Sequence, residues 1–331
     1  MSPTSATAAA TASVTANTVS VETGSQVDIT AANSAQTSLT PALAPFNNQL
    51  YMAYKGWGAS SSLYSCYFDG STWHSQINVT DQNGAKTSGS PALAAFNGKL
   101  YMAYQGSGSS NLYVCYFDGS EWRDQTKVTS QNDAKTDSPP ALAVFNGKLY
   151  LAYRGSGLSN SLYVCSSSDG SNWGSQTNVT DQNGAQTTTT AGPSLAAYNG
   201  RLYMGYEGKA GTSLNGADLY ICSTSDGTNW GSQTDVNDIN GAQCFNGVSL
   251  AANGGLLFAI YHGAHTAQIY GCAFNGSTWS SNQINFTDLN GAGSAIGPAL
   301  SVFQNQFYTA YQGTLVSNNL WEFPFTATWN G

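Results

Sequence analysis

The sequence predicts an all-β protein: a six-bladed β-propeller of four-stranded antiparallel blades, its ring closed by an N-terminal strand that completes the last blade. Three observations carry the prediction. A unit reading P-A-L-A-x-F-N-G-K-L-Y-M-A-Y-x-G, then L-Y-x-C-x-x-D-G-S-x-W, recurs six times along the 331 residues. A supersecondary unit repeated at a spacing of about 50 residues cannot bury its own apolar faces and stacks on its neighbours. Each unit holds four short runs rich in aromatic and β-branched residues, separated by turn dipeptides, and helical periodicity is absent.

In the second unit the runs are Ala92 to Phe96, Lys99 to Gln105, Asn111 to Phe117 and Trp122 to Thr129. Asn97-Gly98 and Asp118-Gly119 are dipeptides that suit two-residue hairpins, because both turn positions take positive φ. The run Leu100-Tyr101-Met102-Ala103-Tyr104 is apolar on both alternating sides, so each blade is covered on both faces. Six tryptophans in register, Trp73, Trp122, Trp173, Trp230, Trp279 and Trp329, are expected between blades. The last unit stops at Trp329-Asn330-Gly331 without a fourth strand, while Ser25 to Thr30 repeats that strand at the start. Pairing the two hides a sheet edge. The domain division is a low-complexity, flexible tail over residues 1–18 and a single propeller over 19–331.

Charged residues make up 8% of the chain, with 10 Lys and Arg against 18 Asp and Glu and a net charge of −8. That balance excludes nucleic acid, whose phosphates need clustered cations. No apolar run is long enough to insert in a membrane. Cys66, Cys115, Cys165, Cys222 and Cys272 share one repeat position, too far apart around a ring for disulfides, and are expected as reduced core residues. Cys244 falls outside the register in Gly-Ala-Gln-Cys-Phe. The start of the chain lacks the basic flank and apolar core of a signal peptide, so a cytoplasmic or unconventionally secreted protein is expected.

Hairpin turns alternate between the two ends of a blade, which places the Asn-Gly and Asp-Gly turns on one face. The opposite face carries the second-to-third-strand loops and the inter-blade loops, and is the expected functional face. Where the repeat varies most, before the glycine that follows the second strand, it reads Lys55, Gln105, Arg154, Glu207, His262 and Gln312. These stand beside Tyr54, Tyr104, Tyr153, Tyr206, Tyr261 and Tyr311. An aromatic platform with directional polar groups is what a sugar requires, the alternative being solvated strand ends over core tyrosines. Trp57, Gly-flanked and unmatched in other units, is a further stacking candidate.

The inter-blade loops add Asp81 and Asn83, Asp181 and Asn183, Asp238 and Asn240, and Asp288 and Asn290. Their oxygens suit a hydroxyl or an Asx-type turn; no bidentate Glu follows as calcium coordination would require. His262 and His265 lack a third ligand. No metal and no cofactor are therefore expected.

Ser167-Ser168-Asp169-Gly170-Ser171-Asn172-Trp173 and Thr224-Ser225-Asp226-Gly227-Thr228-Asn229-Trp230 resemble a shortened Asp box. With the F-N-G-K-L-Y-M-A-Y repeats, the chain resembles six-bladed propeller lectins and sialidase-like repeat proteins. In that superfamily the Asp box is a structural turn remote from the active site. The resemblance to sialidases implies three convergent arginines, and Arg123 and Arg201 lie at the opposite end from Arg154. The resemblance to fucose-binding lectins implies a repeated Arg and Glu, which occur here once each, as Arg154 and Glu207. The reading that follows is a lectin, not an enzyme, holding glycans at several weak inter-blade sites as a monomer or weak homo-oligomer. A protein-interaction scaffold using the Lys209 to Asp218 loop and a sialidase-like glycoside hydrolase are the alternatives.

Overall fold

The computed structural model describes residues 17–157, 159–187, 191–208, 217–264, 266–314 and 318–331. Residues 1–16, positions 209–216 of the long loop and His265 lie outside them.

The N-terminal segment contributes β1 (Thr18–Thr23), β2 (Val27–Asp28) and α1 (Ile29–Asn33). The first unit holds β3 (Ala42–Phe46), β4 (Gln49–Lys55), β5 (Leu63–Phe68), β6 (Ile77–Asn78) and α2 (Val79–Asn83). The second holds β7 (Ala92–Phe96), β8 (Lys99–Gln105), β9 (Leu112–Phe117), β10 (Trp122–Lys127) and α3 (Thr129–Asn132). The third holds β11 (Ala141–Phe145), β12 (Lys148–Arg154), β13 (Leu162–Ser167), β14 (Thr177–Asn178) and α4 (Val179–Asn183). The fourth holds β15 (Ser194–Tyr198), β16 (Arg201–Glu207), β17 (Ala217–Thr224), β18 (Thr234–Asp235) and α5 (Asn237–Asn240). The fifth holds β19 (Gln243–Asn253), β20 (Leu256–Gly263), β21 (Ile269–Phe274), β22 (Ile284–Asn285) and α6 (Phe286–Asn290). The last holds β23 (Ala299–Phe303), β24 (Gln306–Gln312) and β25 (Leu320–Asn330).

The fold is an all-β propeller with antiparallel, four-stranded blades. The first strands β3, β7, β11, β15, β19 and β23 are neighbours in a closed cycle, with Pro and Ala where the ring is tightest. Six independent sheets, as the sequence predicts, are not what the hydrogen bonds give. The first three units form separate four-stranded sheets, the fourth and fifth share one of eight strands, and the last is a sheet of five. The merger arises because β19 begins early and pairs with β17 at Cys244 and Gln243, then bulges before Val248.

Closure uses more of the N-terminus than expected. β1 pairs along Phe325–Asn330, and β2 pairs with Trp321 and Glu322. The strand expected over Ser25 to Thr30 is shorter, because Asp28 accepts from the Ala31 amide at 3.0 Å and turns the chain into α1. The same device cuts short the fourth strand of most units. Asn78, Asn178 and Asn285 cap one-turn helices that end on a left-handed glycine, so the absence of helix in the sequence reading is corrected by six short ones. Asn97 and Gly98 do take positive φ (46° and 71°), as a two-residue turn needs. Asp118-Gly119 does not form such a turn: only Gly119 is left-handed, and Asp118 Oδ1 accepts from the amides of Ser120 and Glu121. Amide donors of this kind lead in holding the carboxylates of Asp118, Asp169 and Asp226 well below the usual range, and the His74 side chain leads in doing so for Asp69.

Five tryptophans in register are buried, Trp329 is half-buried, and all six cysteines are reduced and buried. Burial pushes the thiols of Cys66, Cys115, Cys165, Cys222 and Cys272 up to about 12. Cys244, out of register in sequence, packs into the same kind of layer between the fourth and fifth units.

Around the axis the first strands approach one another closely. A Cβ on Gly192 would overlap the Pro139 carbonyl oxygen, a backbone atom that cannot rotate away. Gly192→Ala is therefore expected to destabilise by about 2–3 kcal/mol, as overpacking does, read as a lower urea midpoint at unchanged slope. An unshifted midpoint would show that the ring yields there.

Candidate functional site

The tyrosine series lies inside the protein. Tyr54, Tyr104, Tyr153, Tyr206, Tyr261 and Tyr311 are each at most 1% exposed, and burial pushes their phenols far above the ordinary value. They offer no face to a sugar. Their hydroxyls donate instead to glutamines: Tyr54 to Gln76 at 2.5 Å, Tyr104 to Gln125 at 2.7 Å, Tyr153 to Gln176 and Tyr261 to Gln283 at 2.5 Å, and likewise Tyr206 to Gln233 and Tyr311 to Gln26.

Each glutamine then donates to a rim carbonyl of the preceding unit, for example Gln125 to Asn83 at 2.6 Å and Gln26 to Asn290 at 2.7 Å. This Tyr–Gln–Asn relay runs six times around the ring. In the last unit its glutamine comes from the N-terminal segment, so β1 and β2 bring both a strand and the missing link. The periodicity of the tyrosines and the alternative that they are core were legible; their glutamine acceptors were not, since these sit where the strand signal fades.

The Asp and Asn pairs of the inter-blade loops are rim fastenings as well. Asp81, Asp181, Asp238 and Asp288 are exposed in the first turns of the short helices. Asn83, Asn183 and Asn240 accept a local amide and donate across the rim to Asp124, Gly231 and Ser280. The Asn290 side-chain oxygen accepts from the Ala292 amide; its amide nitrogen is buried at the seam with no partner among the described residues. Among those residues no group of three or more His, Cys, Asp or Glu side chains could hold a metal ion.

The polar series mostly fastens its own loops. Lys55 Nζ donates to the carbonyls of Gly56 and Gly58, Gln105 to Ser109, Arg154 to Ser159 and Gln312 to Asn318. Glu207 is buried and accepts from the Gly247 amide at 3.3 Å; His262 is buried and its imidazole is pulled below the ordinary value by desolvation. Trp57 is different, 55% exposed beside a cleft of about 180 Å³ lined by Ser34, Gln36, Ser60, Tyr64 and Gln76.

A second concavity opens where the axis meets the loop face. It measures about 220 Å³ and is lined by Ser88, Ser90, Gln105, Asp137, Ser138 and Asn246, with Leu39 and Ile296 among the apolar walls. Below it, an axial cavity of about 150 Å³ is walled by Pro41, Pro91, Pro140, Pro193, Pro298 and Val248. Of the series before the glycines, Gln105 alone lines the mouth.

Asp137 is its only carboxylate. Oδ2 accepts from the Gly157 amide at 2.6 Å and Oδ1 from the Ser110 hydroxyl, and these donors, aided by the Arg154 charge, hold it below the ordinary carboxylate range. It stands where the first two units have Ser38 and Ser88, a single acid in a Thr- and Ser-rich loop. That was the available signal, and repeat-based reading passes over it because one unit alone carries it.

The bulge of β19 supplies the rest. Asn246 and Gly247 adopt φ of 63° and 98°, and Phe245 next to them is 45% exposed, its ring centre 6.2 Å from that of His262. Glu207, bonded to Gly247, backs the segment that presents Asn246 to the mouth. The Gly-Ala-Gln-Cys-Phe break in the repeat was the trace of this feature.

The loop-face mouth holds an ionised carboxylate, an amide pair and hydroxyls, with exposed Phe245 on the adjoining β19 bulge, on a propeller of four-stranded blades. No protein-family model matches the chain and no curated protein does. Solved structures share its fold. An α-L-arabinanase of Penicillium chrysogenum complexed with arabinobiose is 16% identical, with a TM-score of 0.66 over 92% of this chain and 98% of that one. An α-L-arabinofuranosidase of Fusarium graminearum is 16% identical at a TM-score of 0.65, over 92% and 98%. A Trypanosoma rangeli sialidase is 11% identical at 0.59, over 88% of this chain and 55% of its own.

At these identities the likeness establishes the propeller fold. It also corrects the expectation that the chain is not an enzyme. That expectation rested on Arg123 and Arg201 lying away from Arg154, and the folds matched here carry glycoside hydrolases that are not all sialidases, so the missing arginine cluster does not exclude an enzyme.

Proposed function

We propose that the chain is a carbohydrate-active propeller that hydrolyses glycosides at the loop-face mouth of its axial cavity. The observation that carries this reading is the mouth itself: Asp137 kept ionised by its donors, with Gln105, Asn246 and Ser88 for sugar hydroxyls, and exposed Phe245 next to Asn246 outside the lining for a ring face. Hydrolysis needs two carboxyl groups, one ionised and one proton donor. Asp137 fills the first role; Glu207, buried behind Asn246, holds the segment that presents that amide. No Lys lines the mouth and Arg154 is engaged with Ser159, which favours neutral over acidic sugars. Six units around one axis belong to the same proposal, supported by the sixfold relay and the cycle of first strands despite the shared sheet.

The test is incubation of the purified chain with arabinobiose and aryl α-L-arabinofuranosides, then with a panel of neutral aryl glycosides, reading released sugar chromatographically. Release that is lost in Asp137→Asn supports the reading. No release across the panel overturns hydrolysis.

The Trp57 cleft favours a second reading, a glycan-binding platform apart from the mouth. Trp57→Ala is expected to weaken retention on immobilised arabinan by up to about tenfold while leaving the urea midpoint in place, since packing on an aromatic face contributes about 0.5–1.5 kcal/mol. Equal retention of variant and wild type would remove this site.

A further inference from the structure

One acidic side chain lies at a repeat position that is otherwise neutral. In the L-Y-x-C stretch the variable residue is Ser65, Val114, Val164, Ile221 and Gly271 in the first five units and Glu322 in the last. Glu322 sits on β25 opposite Ala310 and Val27, at the point where the N-terminal segment joins the sheet. It is 2% exposed, and its Oε2 has no hydrogen-bond partner among the described residues. It shares a face with Leu320, which packs with Ala310 and Tyr308 against Met52, Cys66 and Trp73 of the first unit.

We propose that Glu322 makes closure of the ring pH-sensitive, sealing the seam between the last and first units when protonated and loosening it when ionised. The geometry gives the ionised form little support. From β24 it faces Tyr308, with Tyr311 next to Ala310 on the opposite face, and from the first unit the Trp73 indole, whose N–H comes near without meeting hydrogen-bond geometry; Cys66 lies in the same layer with its thiol pushed up to about 12. From β2 it meets Val27, while the neighbouring Asp28 carboxylate is turned to Ala31 and Asn319. No cation is among these groups. At the corresponding interface one unit on, Trp122 Nε1 donates to Ser65 at 2.9 Å, so a neutral hydroxyl at this position does satisfy an indole.

Burial raises the Glu322 carboxyl from 4.5 to about 7. Below 4.5 it is protonated whether the seam is open or closed. Between 4.5 and about 7 the opened seam releases the proton and the closed one keeps it, so closure weakens as pH rises and levels off above 7. The inference is independent of the proposed hydrolytic site.

Hydrogen–deuterium exchange tests it, with each rate referred to the intrinsic rate at that pH. From pH 4.5 to 7, protection of β1, β2 and β25 is expected to fall by about 80-fold relative to β8 and β9, out of the roughly 300-fold that tenfold per unit of displacement allows over a wider range. Glu322→Gln should abolish that difference. Glu322→Val, which installs the residue of the second and third units, should do the same and keeps the test open if the amide variant fails to fold. A wild-type seam whose relative protection is flat over this range, or variants that keep the same slope, would overturn the proposal.

Discussion

Asp137→Asn is expected to lower kcat on whichever aryl glycoside the chain turns over by about 10²–10⁴-fold, the range for losing one acid–base group. KM should change little, because Gln105, Asn246 and Phe245 remain to hold the sugar. The same carboxylate sets the acid limb of the rate profile. Ser110 and Gly157 donate to its ionised form, so its folded pKa is depressed, the active carboxylate survives acidification, and activity is lost only below the usual carboxylate range. Ser110→Ala removes one donor and should move that limb towards higher pH without abolishing turnover. An Asp137→Asn enzyme with unchanged kcat would show that the chemistry lies elsewhere.

How legible was this in the sequence? The first three strands of a unit were, because they are buried on both faces and bounded by Asn-Gly and glycine. Ala92–Phe96 and Lys99–Gln105 have in the structure the limits read from the sequence. The fourth strand was not, since after Ile77 or Thr177 a capping Asn competes for the backbone and ends the ladder after two residues.

The site was read least well, for a related reason. A tyrosine in a strand apolar on both sides carries no mark distinguishing a cleft rim from the interior, and its burial depends on a glutamine in another strand. Asp137 and Phe245 were hidden differently: each occurs once, and a repeat trains attention on what recurs. Trp57, also unique, stood out because it has no counterpart in any other unit, and it is exposed.

Removing residues 1–28 is expected to do more damage than any point substitution discussed here. The deletion strips β1 from Phe325–Asn330, β2 from Trp321 and Glu322, buried Val19 from its layer, and Gln26 from the Tyr311 hydroxyl. Six paired residues along β1, at roughly 1 kcal/mol per hydrogen bond, make a loss of about 6 kcal/mol before any apolar area is counted. Tyr311 would keep a buried hydroxyl without an acceptor, and Glu322 would meet water, so part of the pH dependence of the seam should vanish with the strand that creates it. The remaining edge of β25 offers unpaired amides and carbonyls beside Phe325 and Trp329, the kind of edge that pairs with a second copy. The truncated chain should therefore unfold at a markedly lower urea concentration and run as dimers or larger species in size-exclusion chromatography. A deletion of residues 1–16 is the control, since it spares both strands. If the longer deletion matched the control in midpoint and elution, the last blade would be self-sufficient, and the relay through Gln26 would have no part in holding the ring shut.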